Sequence, residues 1–146
     1  MMRPALILRP LALCLALLPL TSAPGAAQPP AQIGPPMTAE EFDARTRGKT
    51  IEYTAQGQPY GVEEYRPGRK VVWAFEGDDC REGDWFQRDN QICFDYHDDT
   101  GLQCWTFHDS PDGLVAFFEG RNDGDPLISL RESTAPLNCP GPDLGV

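Results

Sequence analysis

The sequence predicts a mainly β domain: an antiparallel meander closing as a small barrel or sandwich, with one short N-terminal helix. Three observations predict it. Turn residues recur at short intervals, at Gly57-Gln58-Pro59, Pro67-Gly68, Gly77-Asp78-Asp79, Asp89-Asn90, Asp99-Thr100-Gly101, Pro111-Asp112-Gly113 and Asn122-Asp123-Gly124-Asp125-Pro126. Several of the runs between them alternate apolar and polar residues, as strands with one buried face do. Helix-start signals gather convincingly around Thr38 alone. Short strands at even spacing are the pattern of a sheet that curls on itself.

The helix comes first. Thr38 can cap it, and Glu41 three residues later completes a capping box. Met37 and Phe42 occupy the two hydrophobic-staple positions. Acids lead (Glu40, Glu41, Asp43) and arginines follow (Arg45, Arg47), which suits the helix dipole. Gly48 is a natural stop.

Strands are predicted near 50–55, 59–65, 69–76, 83–88, 91–96, 102–108, 113–119 and 126–131. In the third, Val71, Trp73 and Phe75 share a face, with Lys70 and Glu76 on the other. The fifth and sixth read as a hairpin joined by His97-Asp98-Asp99-Thr100-Gly101. If Tyr96 faces Gly101, Cys93 lies opposite Cys104 and Trp105 opposite Ile92. Ile92, Phe94 and Tyr96 then share the inner face, and Cys93, Asp95, Cys104 and Thr106 the outer one. The seventh is less clean, because Val115, Phe117 and Phe118 put apolar groups on both faces.

The start of the chain differs in kind. Residues 1–27 carry Arg3 and Arg9 as their only charges, then the apolar run Leu11 to Leu20, then small residues ending in Gly25-Ala26-Ala27. That is the pattern of a cleavable secretory signal. The apolar run is about half the length a membrane span needs. Cys14 sits inside it, after Leu13 rather than a small residue, and reads as an ordinary signal residue. The expected organisation is a signal peptide over 1–27, a Pro-rich linker over 28–37 and a single disulfide-stapled β domain over 38–146. The expected location is periplasmic or secreted, with no membrane span after cleavage. The whole chain holds 12 basic and 22 acidic residues, so loss of the two signal arginines leaves 10 against 22, or −12. Nucleic acid is excluded as a partner, since phosphate binding rests on Lys and Arg. The acidic charge reads first as solubility in an exported protein; the candidate partners are a small apolar ligand and a cationic protein, whose approach acidic charge would speed.

Beyond the signal stand Cys80, Cys93, Cys104 and Cys139, and an even number in an exported chain implies disulfides. The hairpin register favours Cys93 with Cys104, which leaves Cys80 with Cys139 and ties the tail to the body. A slip of one residue would defeat that pairing. The rival zinc pattern, Cys93-x3-His97 with Cys104-x3-His108, fails on distance. An antiparallel hairpin holds the two histidines about 25 Å apart, whereas zinc ligands converge on one ion.

Catalytic signals are scarce. Ser110, Ser129 and Ser133 sit in no nucleophile elbow. Oxidised cysteines leave no thiolate. Asp78-Asp79, Asp98-Asp99, Asp109 with Asp112 and Asp123 with Asp125 read first as turn residues. Asn122 to Asp125 is the best calcium candidate, yet it lacks the full loop with its terminal Glu. No catalytic residue, cofactor or metal ligand is assigned. The densest aromatic set, Trp73, Trp85, Phe94, Tyr96 and Trp105, is either core or the lining of a ligand cavity.

Gly77 to Trp85, then Ile92-Cys93-Phe94-Asp95-Tyr96, then Cys104-Trp105-Thr106-Phe107 resemble a class of small exported bacterial β-rich proteins of unknown function. Those share a Gly-x-Trp strand, a Cys-Phe strand and a further Cys. The resemblance spans roughly 38–131 and implies export and a β fold. It carries over no site residue. The expected function is an exported, non-enzymatic binding module for a small apolar molecule or an envelope component. The alternatives are an acidic inhibitor of a cationic secreted hydrolase, such as a lysozyme or protease, and a carboxylate-dependent hydrolase.

Overall fold

The computed structural model describes residues 32–75 and 78–139. The signal expected at 1–27, the lead as far as residue 31, Glu76 and Gly77, and the tail from residue 140 lie outside the described residues. Within them stand one helix, α1 (Ala39–Thr46), and eight strands: β1 (Thr50–Ala55), β2 (Gln58–Arg66), β3 (Lys70–Phe75), β4 (Arg81–Arg88), β5 (Gln91–Asp95), β6 (Gln103–Ser110), β7 (Gly113–Phe118) and β8 (Leu127–Ser133). Each strand pairs antiparallel with its sequence neighbours, and β8 returns to β1, so the sheet is a closed barrel and not a sandwich. Closure leaves no open sheet edge. The helix is not at the start of the chain. It begins at residue 39 and immediately precedes the first strand.

Alternation sorts the side chains. Ile51 and Tyr53 of β1, Glu63 and Tyr65 of β2, Val71 and Trp73 of β3, Ile92 and Phe94 of β5, and Leu114 and Ala116 of β7 are all buried on the inner face. The two ends of the barrel differ. Thr38 Oγ1 accepts from Glu41 N–H at 3.3 Å and Glu41 Oε2 accepts from Thr38 N–H at 2.8 Å, so the capping box forms as the sequence predicts. The helix delivers Phe42, which has no exposed surface, into one end against Tyr65, Trp85, Phe94 and Phe107 at ring separations of 4.5–6.2 Å. Arg45 pairs with both carboxylate oxygens of Glu132 on β8, and Gln87 Oε1 on β4 accepts from Ala39 N–H at 2.7 Å. These bonds hold the plug across the barrel end. Gly48, at φ +75°, then turns the chain into β1.

Residues 34–37 of the lead are part of the wall. β6 continues past the start of β5, which leaves its carbonyls at Phe107 and Asp109 without a strand on that side. Met37 N–H donates to Phe107 O at 2.8 Å and Gly34 N–H to Asp109 O at 2.9 Å. Met37 is thereby buried with the plug. The apolar outer face of β7 is covered as well: Phe117 lies under the His108 ring, whose Nδ1 is 2.8 Å from Gly34 O.

Both disulfides, Cys80–Cys139 and Cys93–Cys104, are the pair the hairpin register implies. Cys93 stands opposite Cys104 and Ile92 opposite Trp105. The described part of the tail, residues 134–139, lies by β1 and β2, where Thr50 Oγ1 donates to Ala135 O at 2.6 Å and Leu137 N–H to Glu64 Oε2 at 3.1 Å.

Candidate functional site

The helix fills one end of the barrel, and a cavity of about 290 Å³ occupies the other. At this end β1 turns into β2, β3 into β4, β5 into β6 and β7 into β8. Its walls come from inward positions of six strands: Tyr53, Glu63, Trp73, Phe94, Trp105 and Leu127 all contribute. The β5–β6 loop adds Thr100 near the mouth.

Two local features shape the wall beside β2. The β1–β2 register shifts between Tyr53 and Thr54, where Tyr53 faces Gly61 and Thr54 faces Pro59. Tyr60 is therefore the extra, unpaired residue of a bulge, a device that re-aims a side chain. It packs against the core at 5.9 Å from Trp73 and 5.5 Å from Phe75, ring to ring. Next to it, Gly61 leaves room for Trp73, whose ring occupies the place a Cβ would take.

Glu63 is the unusual member of the lining. It sits on the inner face of β2, 4% exposed, between Gly61 toward the mouth and Tyr65 toward the plug. Tyr96 Oη donates to Glu63 Oε1 at 2.8 Å, and Tyr65 Oη donates to Oε2 at 2.8 Å. Tyr53 Oη lies 2.8 Å from Tyr65 Oη, so a chain of two phenols ends on Oε2 while the third phenol, Tyr96, bonds Oε1. Burial raises the Glu63 pKa to about 7, against the pull of the two phenol hydrogen bonds. Burial, and then the neighbouring Glu63 charge, raise Tyr53, Tyr65 and Tyr96 above the ordinary phenol range. The described residues give Glu63 no ion-pair partner. Arg81, the one cation among the described residues of the lining, lies over the Phe75 ring at 5.6 Å and pairs with Asp98 at 3.3 Å.

Four of the five sequence-selected aromatics, Trp73, Phe94, Tyr96 and Trp105, line this cavity. Trp85 does not: it faces the plug, under the Arg69 guanidinium at 4.9 Å and beside Phe42 at 5.0 Å. The sequence reading missed Glu63, Tyr53, Tyr60 and Arg81. A signal for Glu63 exists, since Gly61, Glu63 and Tyr65 share one phase and Val62 and Glu64 the other. An acid in phase with a buried tyrosine is an inward acid, provided the phase of the strand is known.

The remaining candidates stand elsewhere. Asp123 and Asp125 lie in the β7–β8 connection near Arg121, and Asp125 accepts from Gln56 Nε2. No group of three or more His, Cys, Asp or Glu side chains among the described residues is arranged to hold a metal ion. His97 Nε2 is 2.9 Å from Asp84 on the outside, and His108 Nε2 is 3.0 Å from Thr106 Oγ1. The four cysteines among the described residues are engaged in the two disulfides. Among the described residues one carboxyl, not an opposed pair, lines the cavity. No protein-family model, no curated protein and no solved structure matches the chain.

Proposed function

We propose that this protein is an exported, non-enzymatic binding module that holds one small, mainly apolar molecule in the open half of its barrel. The cavity carries the reading. An eight-strand barrel has an interior that side chains just fill or that holds one small ligand. Here the plug residues fill only one half. The other half is left about 290 Å³ wide and is lined chiefly by aromatic rings with a few polar groups. That volume is at the small end of ligand sites, and the lining matches their usual make-up. The two disulfides suit an oxidising compartment. Periplasmic or secreted placement, and membership of the exported β-rich class the strand motifs resemble, belong to the same proposal. Among the described residues no helix is long and apolar enough to cross a membrane.

The inhibitor alternative rests on the negative charge and the disulfide-stapled β scaffold, with no recognisable inhibitory loop in the sequence. The hydrolase alternative requires two carboxyl groups facing one another, and among the described residues the cavity supplies only Glu63. The test is calorimetric titration of the oxidised protein with a small neutral aromatic, 2-phenylethanol. Saturable one-to-one binding is expected, with quenching of Trp73 and Trp105 fluorescence. Gln103→Trp, which places a large ring in the cavity wall, should abolish it while the far-ultraviolet spectrum is unchanged. Equal binding by the filled variant, or absence of binding by this alcohol and by cationic and anionic probes of the same shape, would refute the proposal.

A further inference from the structure

We infer that the cavity selects a small organic cation, an amine carrying an apolar or aromatic body, with Glu63 as its counter-ion. The inference rests on the binding reading above and names the class of ligand. A carboxylate offers about four acceptor positions, and the phenols of Tyr65 and Tyr96 occupy two of them. Both partners are neutral donors. A buried carboxylate without a positive partner is costly, because Coulomb attraction does not replace the lost hydration. An ammonium group entering the cavity supplies that attraction. The mouth cation does not, since Arg81 is engaged with Asp98 on the rim.

The walls are suited to the same ligand. Tyr60, Trp73 and Phe75 form a contiguous aromatic surface with neighbouring ring centroids 5.3–5.9 Å apart. Aromatic faces attract cations, most strongly where water is excluded, and such surfaces are a recurrent means of holding ammonium groups. An anionic ligand would meet the Glu63 charge, and a neutral one would leave the carboxyl as it stands. Ionic complementarity thus separates three ligands of one shape.

The pH dependence follows from the groups that face Glu63. These are Tyr53 on β1, Tyr65 on β2 and Tyr96 at the end of β5, with Arg81 of β4 at the mouth. The phenols stay protonated through neutral pH, since all three are raised. Glu63, near 7, is the group that changes charge there. Binding of a permanent cation should therefore tighten about tenfold between pH 6 and pH 8.

The experiment titrates the oxidised protein with 2-phenylethylamine, benzyltrimethylammonium, 2-phenylethanol and phenylacetate at pH 6 and pH 8. The two cations should bind at least tenfold tighter than the alcohol at pH 8, and phenylacetate weakest. Glu63→Gln should bring cation and alcohol to similar affinity and remove the pH dependence. If that variant does not fold, the pH profile of the unaltered protein decides alone. Alcohol bound as tightly as the cations at pH 8 would overturn the inference and leave the binding reading intact. Failure of all four probes would overturn both.

Discussion

Glu63 makes the barrel's stability depend on pH in an uncommon direction. Its folded pKa, about 7, stands above the ordinary value of 4.5. Between those values the unfolded chain has released its proton and the folded one keeps it. Stability therefore falls as pH rises through that window and levels off above it. The difference corresponds to about 3 kcal/mol. Urea unfolding at pH 5 and pH 8 should show this loss, and Glu63→Gln should flatten it. Glu132 acts oppositely. Arg45, and then Lys49, hold its pKa at about 2, so its contribution is present above 4.5 and disappears as pH falls toward 2. Because the pair is partly exposed, that contribution is about 1 kcal/mol. A stability maximum near pH 5 is expected from the two together. Gly61 is decided by contact rather than charge. A methyl group there would overlap the Trp73 ring and the Ala74 carbonyl. Gly61→Ala should cost about 1–3 kcal/mol and shift tryptophan emission, both readable in one fluorescence-monitored urea titration.

At the scale of elements, α1 matters for what it carries. Eight residues are too few to be helical alone. The helix persists because Phe42 inserts among four aromatic rings. Phe42→Ala should therefore cost about 3–5 kcal/mol and open the plugged end, which increased binding of an environment-sensitive dye would report. Thr38→Ala removes only the cap and should cost about 1 kcal/mol, leaving dye binding unchanged. The elements themselves were legible. The eight strands and the helix fall close to the ranges read from turn residues and alternation. The wall segment at 34–37 was not legible. Its hydrogen bonds go to β6 carbonyls seventy or more residues away, and Pro-Pro composition only says that it is extended.

Across the whole molecule, the disulfides and the closed sheet act together. The short bridge spans 11 residues and the long one 59. In the chain-entropy model they contribute about 3 and about 4 kcal/mol. The double substitutions Cys93→Ala/Cys104→Ala and Cys80→Ala/Cys139→Ala should lower unfolding free energy in that order of size, measured by urea denaturation without reductant. The short bridge lies on the outer wall and the long one ties the tail, so neither removal should abolish cavity binding.

The sequence by itself determined the local terms: the order of elements, the phase of the β5–β6 hairpin and the aromatic character of the interior; it favoured one of three cysteine pairings, and the structure decided for it. The local terms follow from side-chain period and turn chemistry, which act over a few residues. Only the tertiary structure decided barrel over sandwich, because closure depends on β8 meeting β1. It also decided which aromatics line space and which fill it. Trp85 and Trp73 have the same alternation, and only the position of Phe42 makes one a plug contact and the other a cavity wall. Glu63 gained its role the same way: β2 and β5 bring Tyr65 and Tyr96 onto one carboxyl across the barrel, and burial rather than composition gives it a proton near neutral pH.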